Sequence, residues 1–215
     1  MGLRFVAIEK YLRHVDPGVW LEIGTDRMEG STSWLIQQGQ KHGMTRFITV
    51  DMNPNNIQRS IQRTQQSIGD IPNNCEFVTA TGESWLETAS TDLFSMVYLD
   101  NFDWDYWLEI EEEGFVAPIR ETYQTHMGCD MLNINSQVTH LQQAKLLLPR
   151  MNKNCIIVCD DTWYEPKDGI YNGKCGAVIP LLLSEGYHII YYEGYKNEPG
   201  GSGVIMGKGD WINEN

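Results

Sequence analysis

Trp20-Leu21-Glu22-Ile23-Gly24-Thr25-Asp26-Arg27-Met28-Glu29-Gly30-Ser31 begins as a strand and ends at the mouth of a helix. The apolar run Val19, Trp20, Leu21 and Ile23 stops at Gly24, and a helix-like segment, Thr32 to Lys41, follows Gly30 and Ser31. Strand, glycine turn and helix together form the usual seat of a nucleotide-like ligand. The bare backbone at Gly24 lets such a ligand come close, and the first N–H groups of the helix point toward it. Glu22 is a carboxylate inside an apolar strand, placed to accept hydrogen bonds from the loop or to receive a cationic ligand. Working outward, Phe47-Ile48-Thr49-Val50 reads as a second strand closed by Asp51, 21 residues beyond Gly30. An acid at that tip is where a ribose diol is gripped by paired hydrogen bonds.

The loop also narrows the ligand. A dinucleotide needs a pyrophosphate cradle, normally Gly-x-Gly-x-x-Gly. Here Gly24 and Gly30 stand alone, and the residues between them include Asp26 and Glu29. Acids there repel a pyrophosphate and suit a ligand carrying an ammonium and a sulfonium. The loop therefore favours S-adenosylmethionine over NAD. The P-loop pattern Gly-x-x-x-x-Gly-Lys-Ser/Thr is absent from the sequence, which argues against a nucleotide triphosphatase.

The 215 residues are most simply one domain, spanning 1–215, with an inserted lid or substrate segment at about 101–135. A net charge of −13 repels nucleic-acid phosphates and anionic membranes, so a small-molecule acceptor is expected, with no nucleic acid and no membrane as partner. The composition is compatible with a homodimer. The five cysteines are odd in number and scattered, which argues against a disulfide framework. No signal peptide and no apolar run near 18 residues is found, so a cytoplasmic location is the default expectation.

Strands are expected near 19–24, 46–51, 75–80, 94–99, 154–160, 187–193 and 203–207. Helices are expected near 3–14, 31–42, 54–67, 83–89, 136–149 and 174–185. Alternation of this kind predicts an α/β fold: a Rossmann-like three-layer sandwich around a seven-stranded, mostly parallel sheet. Gly200-Gly201-Ser202-Gly203 reads as the turn of a terminal antiparallel hairpin. Residues 101–135 interrupt the alternation with an aromatic cluster (Phe102, Trp104, Tyr106, Trp107) and an acidic run (Glu109, Glu111, Glu112, Glu113). Long excursions of this sort often serve as lids or binding loops. Tyr123, His126, Trp163 and Tyr164 are pocket candidates, His126 as a base. His140, inside the apolar stripe Val138-Leu141-Ala144-Leu147-Leu148, reads as structural.

Two strands end in aspartates, Met96-Val97-Tyr98-Leu99-Asp100 and Val158-Cys159-Asp160-Asp161. As neighbours about 4.8 Å apart, they would bring Asp100, Asp160 and Asp161 together at the ligand crevice. Three carboxylates at that spacing need a compensating cation or shared protons, and Mg²⁺ or another hard divalent cation would serve.

With these pieces in view, the chain resembles class I S-adenosylmethionine-dependent methyltransferases, and among them the catechol and caffeoyl-CoA O-methyltransferase branch. The matching pieces are Leu-Glu-Ile-Gly at 21–24, Gly-Ser at 30–31, Thr-Val-Asp-Met-Asn-Pro at 49–54, Met-Val-Tyr-Leu-Asp at 96–100 and Asp-Asp at 160–161. The resemblance implies that Glu22, Gly24, Thr25, Gly30 and Ser31 shape the methionine pocket. It implies that Asp51 holds the ribose, that Met52 lies against the adenine, and that Glu83 and Ser84 flank the adenine edge. Asp100 would border the cofactor and, with Asp160 and Asp161, hold a metal that binds the acceptor, so Asp100 and Asp160 join His126 as catalytic candidates. The family's catalytic lysine falls three residues after the fourth-strand acid; that position here is Asp103. The implied activity is methyl transfer to a small acceptor, a hydroxyl first. Metal-independent N-methylation, a non-catalytic S-adenosylmethionine-binding module and an NAD-dependent oxidoreductase are the alternatives weighed beside it.

Overall fold

The computed structural model describes residues 3–25, 30–89, 92–102, 113–194 and 202–214. Helix α1 (Leu3–Leu12) leads into strand β1 (Gly18–Ile23), after which α2 (Ser31–Lys41), β2 (Met44–Asp51), α3 (Pro54–Ile68), β3 (Cys75–Thr79), α4 (Gly82–Thr88) and β4 (Phe94–Leu99) alternate. Helices α5 (Glu113–Met127) and α6 (Asn133–Leu147) precede β5 (Met151–Asp160). A short pair, β6 (Thr162–Glu165) and β7 (Ile170–Gly173), is followed by α7 (Val178–Ser184), β8 (His188–Glu193) and β9 (Gly203–Lys208).

Seven strands form one sheet in the order β3-β2-β1-β4-β5-β9-β8. The five strands from β3 to β5 are parallel, and β9 pairs antiparallel with both β5 and β8. The chain first builds outward from β1 through β2 to β3, then crosses to the other side of β1 to lay down β4. The strand order thus reverses between β1 and β4, and ligand crevices form outside the carboxyl ends of strands at such a point.

Period-two alternation sends side chains to two cores. Leu21, Ile23, Val97, Leu99 and Ile157 pack under α4, α6 and α7 with Leu86, Ala144, Leu147, Val178 and Leu182. Trp20, Phe47, Met96, Ile156 and Val158 pack on the opposite face against Phe5, Ile8 and Leu12 of α1 and Trp34, Leu35 and Ile36 of α2. Truncating a fully buried member such as Leu21 or Ile157 to Ala would cost about 2–5 kcal/mol. Helix α3 begins as its sequence dictates: Asn53 Oδ1 accepts the Asn55 N–H at 2.9 Å and Pro54 occupies the first turn.

Two departures from the sequence-based elements bear on the site. The helix expected over 174–185 starts at Val178, because residues 174–177 form a turn. The β6–β7 hairpin, not anticipated, fills 162–173. Within the expected 101–135 segment, α5 is helical, while Trp104, Tyr106, Trp107 and the acids Glu109, Glu111 and Glu112 lie outside the described residues. Asp26, Glu29, Asp103, Gly200 and Gly201 also lie outside them. All five cysteines are free, three of them buried. Among the described residues no helix is long and apolar enough to cross a membrane.

Candidate functional site

Strand register assembles the site. Ile23 pairs with Val50 and with Leu99, and Leu99 pairs with Cys159. The residues that follow, Gly24, Asp51, Asp100 and Asp160, therefore form a row across four strand tips. Backbone bonds pin the row: the Gly24 N–H reaches the Val50 carbonyl and the Asp100 N–H the Ile23 carbonyl, each at 2.8 Å. At Gly24, φ is +93°, and a Cβ would lie 2.4 Å from the Asp100 carbonyl carbon and oxygen. Only glycine fits that left-handed, crowded position.

Glu22 shares the α2 face of the sheet with Trp20 and is fully buried. Its carboxylate accepts hydroxyl hydrogen bonds from Ser31 (Oε1), Thr32 and Thr49 (both Oε2), each 2.7 Å long. Thr25 and Ser60 extend this network, with the Thr25 hydroxyl donating to Ser60 Oγ at 2.7 Å. Of the two roles open to Glu22 from sequence, accepting hydrogen bonds from the segment after Gly30 is the one the geometry displays. The carboxylate ties the start of α2 to β1 and β2 and so fixes the shape of the turn. Gly30, at φ +86°, caps that helix, and a Cβ there would meet Ser33 Oγ at an ordinary contact distance of 3.9 Å. Nothing in the sequence marks Thr32, Thr49 and Ser60 as braces of the site, since buried hydroxyls carry no pattern of their own.

At the β2 tip, Asp51 is held by backbone and side chain alike. Its Oδ1 accepts the Asn53 N–H at 2.7 Å and its Oδ2 the Thr25 N–H at 3.3 Å, while Asn56 Nδ2 reaches both oxygens. Met52, beside it, packs against Phe102, Tyr123 and Met131. The Phe102 and Tyr123 rings lie 4.3 Å apart between centroids, so the chain after β4 and helix α5 meet over Met52. Phe102 itself has φ +59°, unusual for a bulky residue. On the far side, Thr81 caps α4 by accepting the Ser84 N–H at 3.3 Å. Glu83 accepts from Gln143 Nε2 at 3.0 Å, and its burial raises its carboxyl above the ordinary range.

One face of helix α6 meets the chain after β4 and the start of α4. Ser136 donates to the Phe102 carbonyl at 3.0 Å, and Gln143 reaches Glu83. His140, between them, is fully buried. Its Nδ1 lies 2.8 Å from the Ser136 carbonyl, so Nδ1 carries the proton, and Nε2 has no hydrogen-bond partner among the described residues. Burial drives the imidazole down to about 4, with a smaller push from the Lys174 ammonium, so the ring is neutral at pH 7.

Asp100, Asp160 and Asp161 do converge, with one carboxylate oxygen from each within 4.8 Å of the others. The positive charge among them, however, belongs to the protein. Lys174, 2% exposed, places its Nζ 2.6 Å from Asp100 Oδ1 and 2.9 Å from Asp161 Oδ2. The third carboxylate has donors as well: Tyr98 Oη donates to Asp160 Oδ2 at 2.6 Å and the Asp161 N–H to Asp160 Oδ1 at 2.7 Å. As oxygen donors these residues suit a hard divalent ion. As arranged, an ammonium is already seated on two of them.

Lys174 was not among the sequence candidates. His126 is exposed in the last turn of α5. Tyr123 is buried against Phe102, whereas Tyr164 is exposed and leans on Tyr171 across the β6–β7 hairpin.

No family model matches the sequence, and no curated protein matches it. Solved structures do match over nearly the whole chain. They include the N-methyltransferase NodS of Bradyrhizobium japonicum (12% identity, TM-score 0.55, covering 97% of this chain and 96% of that one). A second is SMU.1697c of Streptococcus mutans, a methyltransferase by its description, in complex with SAH (7% identity, TM-score 0.54, 96% of each chain). A third is an rRNA methylase of Streptococcus thermophilus (12% identity, TM-score 0.55, 94% of each chain). At such identities the likeness is one of architecture: the chain has the fold of class I methyltransferases.

Proposed function

We propose that this chain is an S-adenosylmethionine-dependent methyltransferase acting on a small hydroxyl-bearing molecule. The observation that carries the reading is the row of Gly24, Asp51, Asp100 and Asp160 across the strand tips at the point where strand order reverses. S-adenosylmethionine, when bound, supplies a sulfonium methyl group for in-line displacement. The residues present fit it: Gly24 holds the turn tight against the Asp100 backbone, and Asp51 offers a fixed carboxylate beside that turn. Thr25, Gly30 and Ser31 would border the methionine end, and Asp51 the ribose hydroxyls. Met52, Glu83 and Ser84 would border the adenine. Glu22 would act at one remove, by fixing the turn. Phe102 and Tyr123 would exclude water from above Met52, and Asp100 would lie between cofactor and acceptor. Alignment and water exclusion are the main demands of such a displacement.

The neighbours named above include an N-methyltransferase and an rRNA methylase, so fold alone does not choose the acceptor. The net charge of −13 favours a small molecule over RNA. A second reading, an amine acceptor, draws on the cluster itself, where three carboxylates converge and the Lys174 ammonium pairs with two of them. The test is transfer of label from methyl-labelled S-adenosylmethionine to a panel of polyols, phenols, amines and RNA. Label in a hydroxylated small molecule is expected. Label in RNA alone, or no turnover with any acceptor, would overturn the proposal.

A further inference from the structure

We infer that Lys174 is the resident cation of the Asp100–Asp160–Asp161 cluster, and that this cluster works without a divalent metal. The metal-free working of the site rests on the methyl-transfer reading above; the absence of metal affinity does not. The hairpin after β5 is built to deliver the ammonium. Strand β6 starts directly after Asp161, β7 ends directly before Lys174, and Thr162 pairs with Gly173. The next pair outward is therefore Asp161 with Lys174. Their backbones are joined there, the Lys174 N–H donating to the Asp161 carbonyl at 3.0 Å. The turn after it is tied down too, with the Cys175 N–H on Thr162 Oγ1 at 3.1 Å. Gly173 permits this closure. Its φ is +82°, and a Cβ there would lie 2.0 Å from the Asp161 oxygen.

A lysine so deeply buried must be paired, and Lys174 pairs with two carboxylates through charge-assisted bonds. A divalent ion drawn to the same oxygens would sit beside that ammonium, like charge against like charge, in a site where burial weakens screening. It would also compete for Asp160 with the Tyr98 hydroxyl and the Asp161 N–H. Mg²⁺ demands near-octahedral geometry from oxygens free to turn toward it, whereas Asp100 Oδ1, Asp161 Oδ2 and both oxygens of Asp160 already hold protein donors.

Mn²⁺ titration followed by electron paramagnetic resonance tests this on the full chain, using wild type, Lys174→Met and Lys174→Arg, beside methyl-transfer assays with and without EDTA. Wild type and Lys174→Arg should bind Mn²⁺ no tighter than millimolar. Lys174→Met, which keeps the length and removes the charge, should bind it about tenfold or more tightly. EDTA should change wild-type turnover less than twofold. If Lys174→Met fails to fold while Lys174→Arg folds, the cluster's need for an internal cation is supported by that contrast. Wild type saturating with Mn²⁺ at micromolar levels, EDTA-abolished turnover restored by Mg²⁺, or a folded Lys174→Met with no gained affinity would each overturn the inference. A wild type that binds neither Mn²⁺ nor S-adenosylmethionine would sink the methyl-transfer reading and leave the cation assignment standing.

Discussion

Replacing Glu22 by Gln should destabilise the fold by about 3 kcal/mol before any effect on ligand is counted. Three hydroxyls donate to this buried carboxylate, each at 2.7 Å. A hydrogen bond to a charged group contributes about 1.5–3 kcal/mol and a neutral one about 0.5–1.5, so neutralising the acceptor costs about 1 kcal/mol per bond. The amide nitrogen of Gln also forces at least one hydroxyl to turn round and accept. For a chain of 215 residues, each kcal/mol moves Tm by about 2–4 °C, giving a drop of about 6–12 °C. Urea unfolding and scanning calorimetry read both quantities. Thr49→Val should cost about 2 kcal/mol in wild type and about half that beside Glu22→Gln, because the two groups share one bond. If Glu22→Gln keeps wild-type stability while S-adenosylmethionine affinity falls tenfold, Glu22 touches the ligand and is not a brace for α2.

Further outcomes follow from the same geometry. Gly24→Ala should lose about 2–5 kcal/mol in urea unfolding, from left-handed backbone strain together with a Cβ 2.4 Å from the Asp100 backbone. The folded His140 lies near 4 against an ordinary 6.5, so the unfolded chain binds the extra proton. Its contribution is whole above pH 6.5 and fades as pH falls toward 4, by about 3 kcal/mol in total; His140→Asn should flatten that part of the stability–pH curve. Tyr98→Phe removes the hydroxyl donor to Asp160 and should cost about 1–3 kcal/mol, read by the same unfolding assay.

The row of strand tips was legible in the sequence because each tip announces itself: an apolar run closed by Gly24, Asp51, Asp100 or Asp160. Strand pairing then follows from alternation and topology. The terminal antiparallel pair, β8 with β9, follows from the same pattern. The convergence of Asp100, Asp160 and Asp161 was likewise readable, since Leu99 and Cys159 are paired neighbours. What compensates them was not. Lys174 belongs to a stretch with helix-like apolar content, Val178-Ile179-Pro180-Leu181-Leu182, and a helix drawn back to 174 hides it. The usable signal was Gly173 and Gly176 bracketing Lys174, a glycine pair that breaks a helix and marks a tight turn. The apolar stripe of α6 marks His140 as structural. Its burial agrees with that stripe, but its neutral ring and its place between Ser136 and Gln143 on the crevice side depend on long-range packing that periodicity does not encode.

Isothermal titration calorimetry of the wild-type chain with S-adenosylmethionine and, separately, NAD tests most directly whether the row of strand tips binds a methyl donor. One site per chain with a Kd of about 10 µM or tighter for S-adenosylmethionine, and no heat with NAD, is the expected outcome. Silence toward S-adenosylmethionine at millimolar concentration, or a preference for NAD, would mean that the four strand tips frame some other ligand.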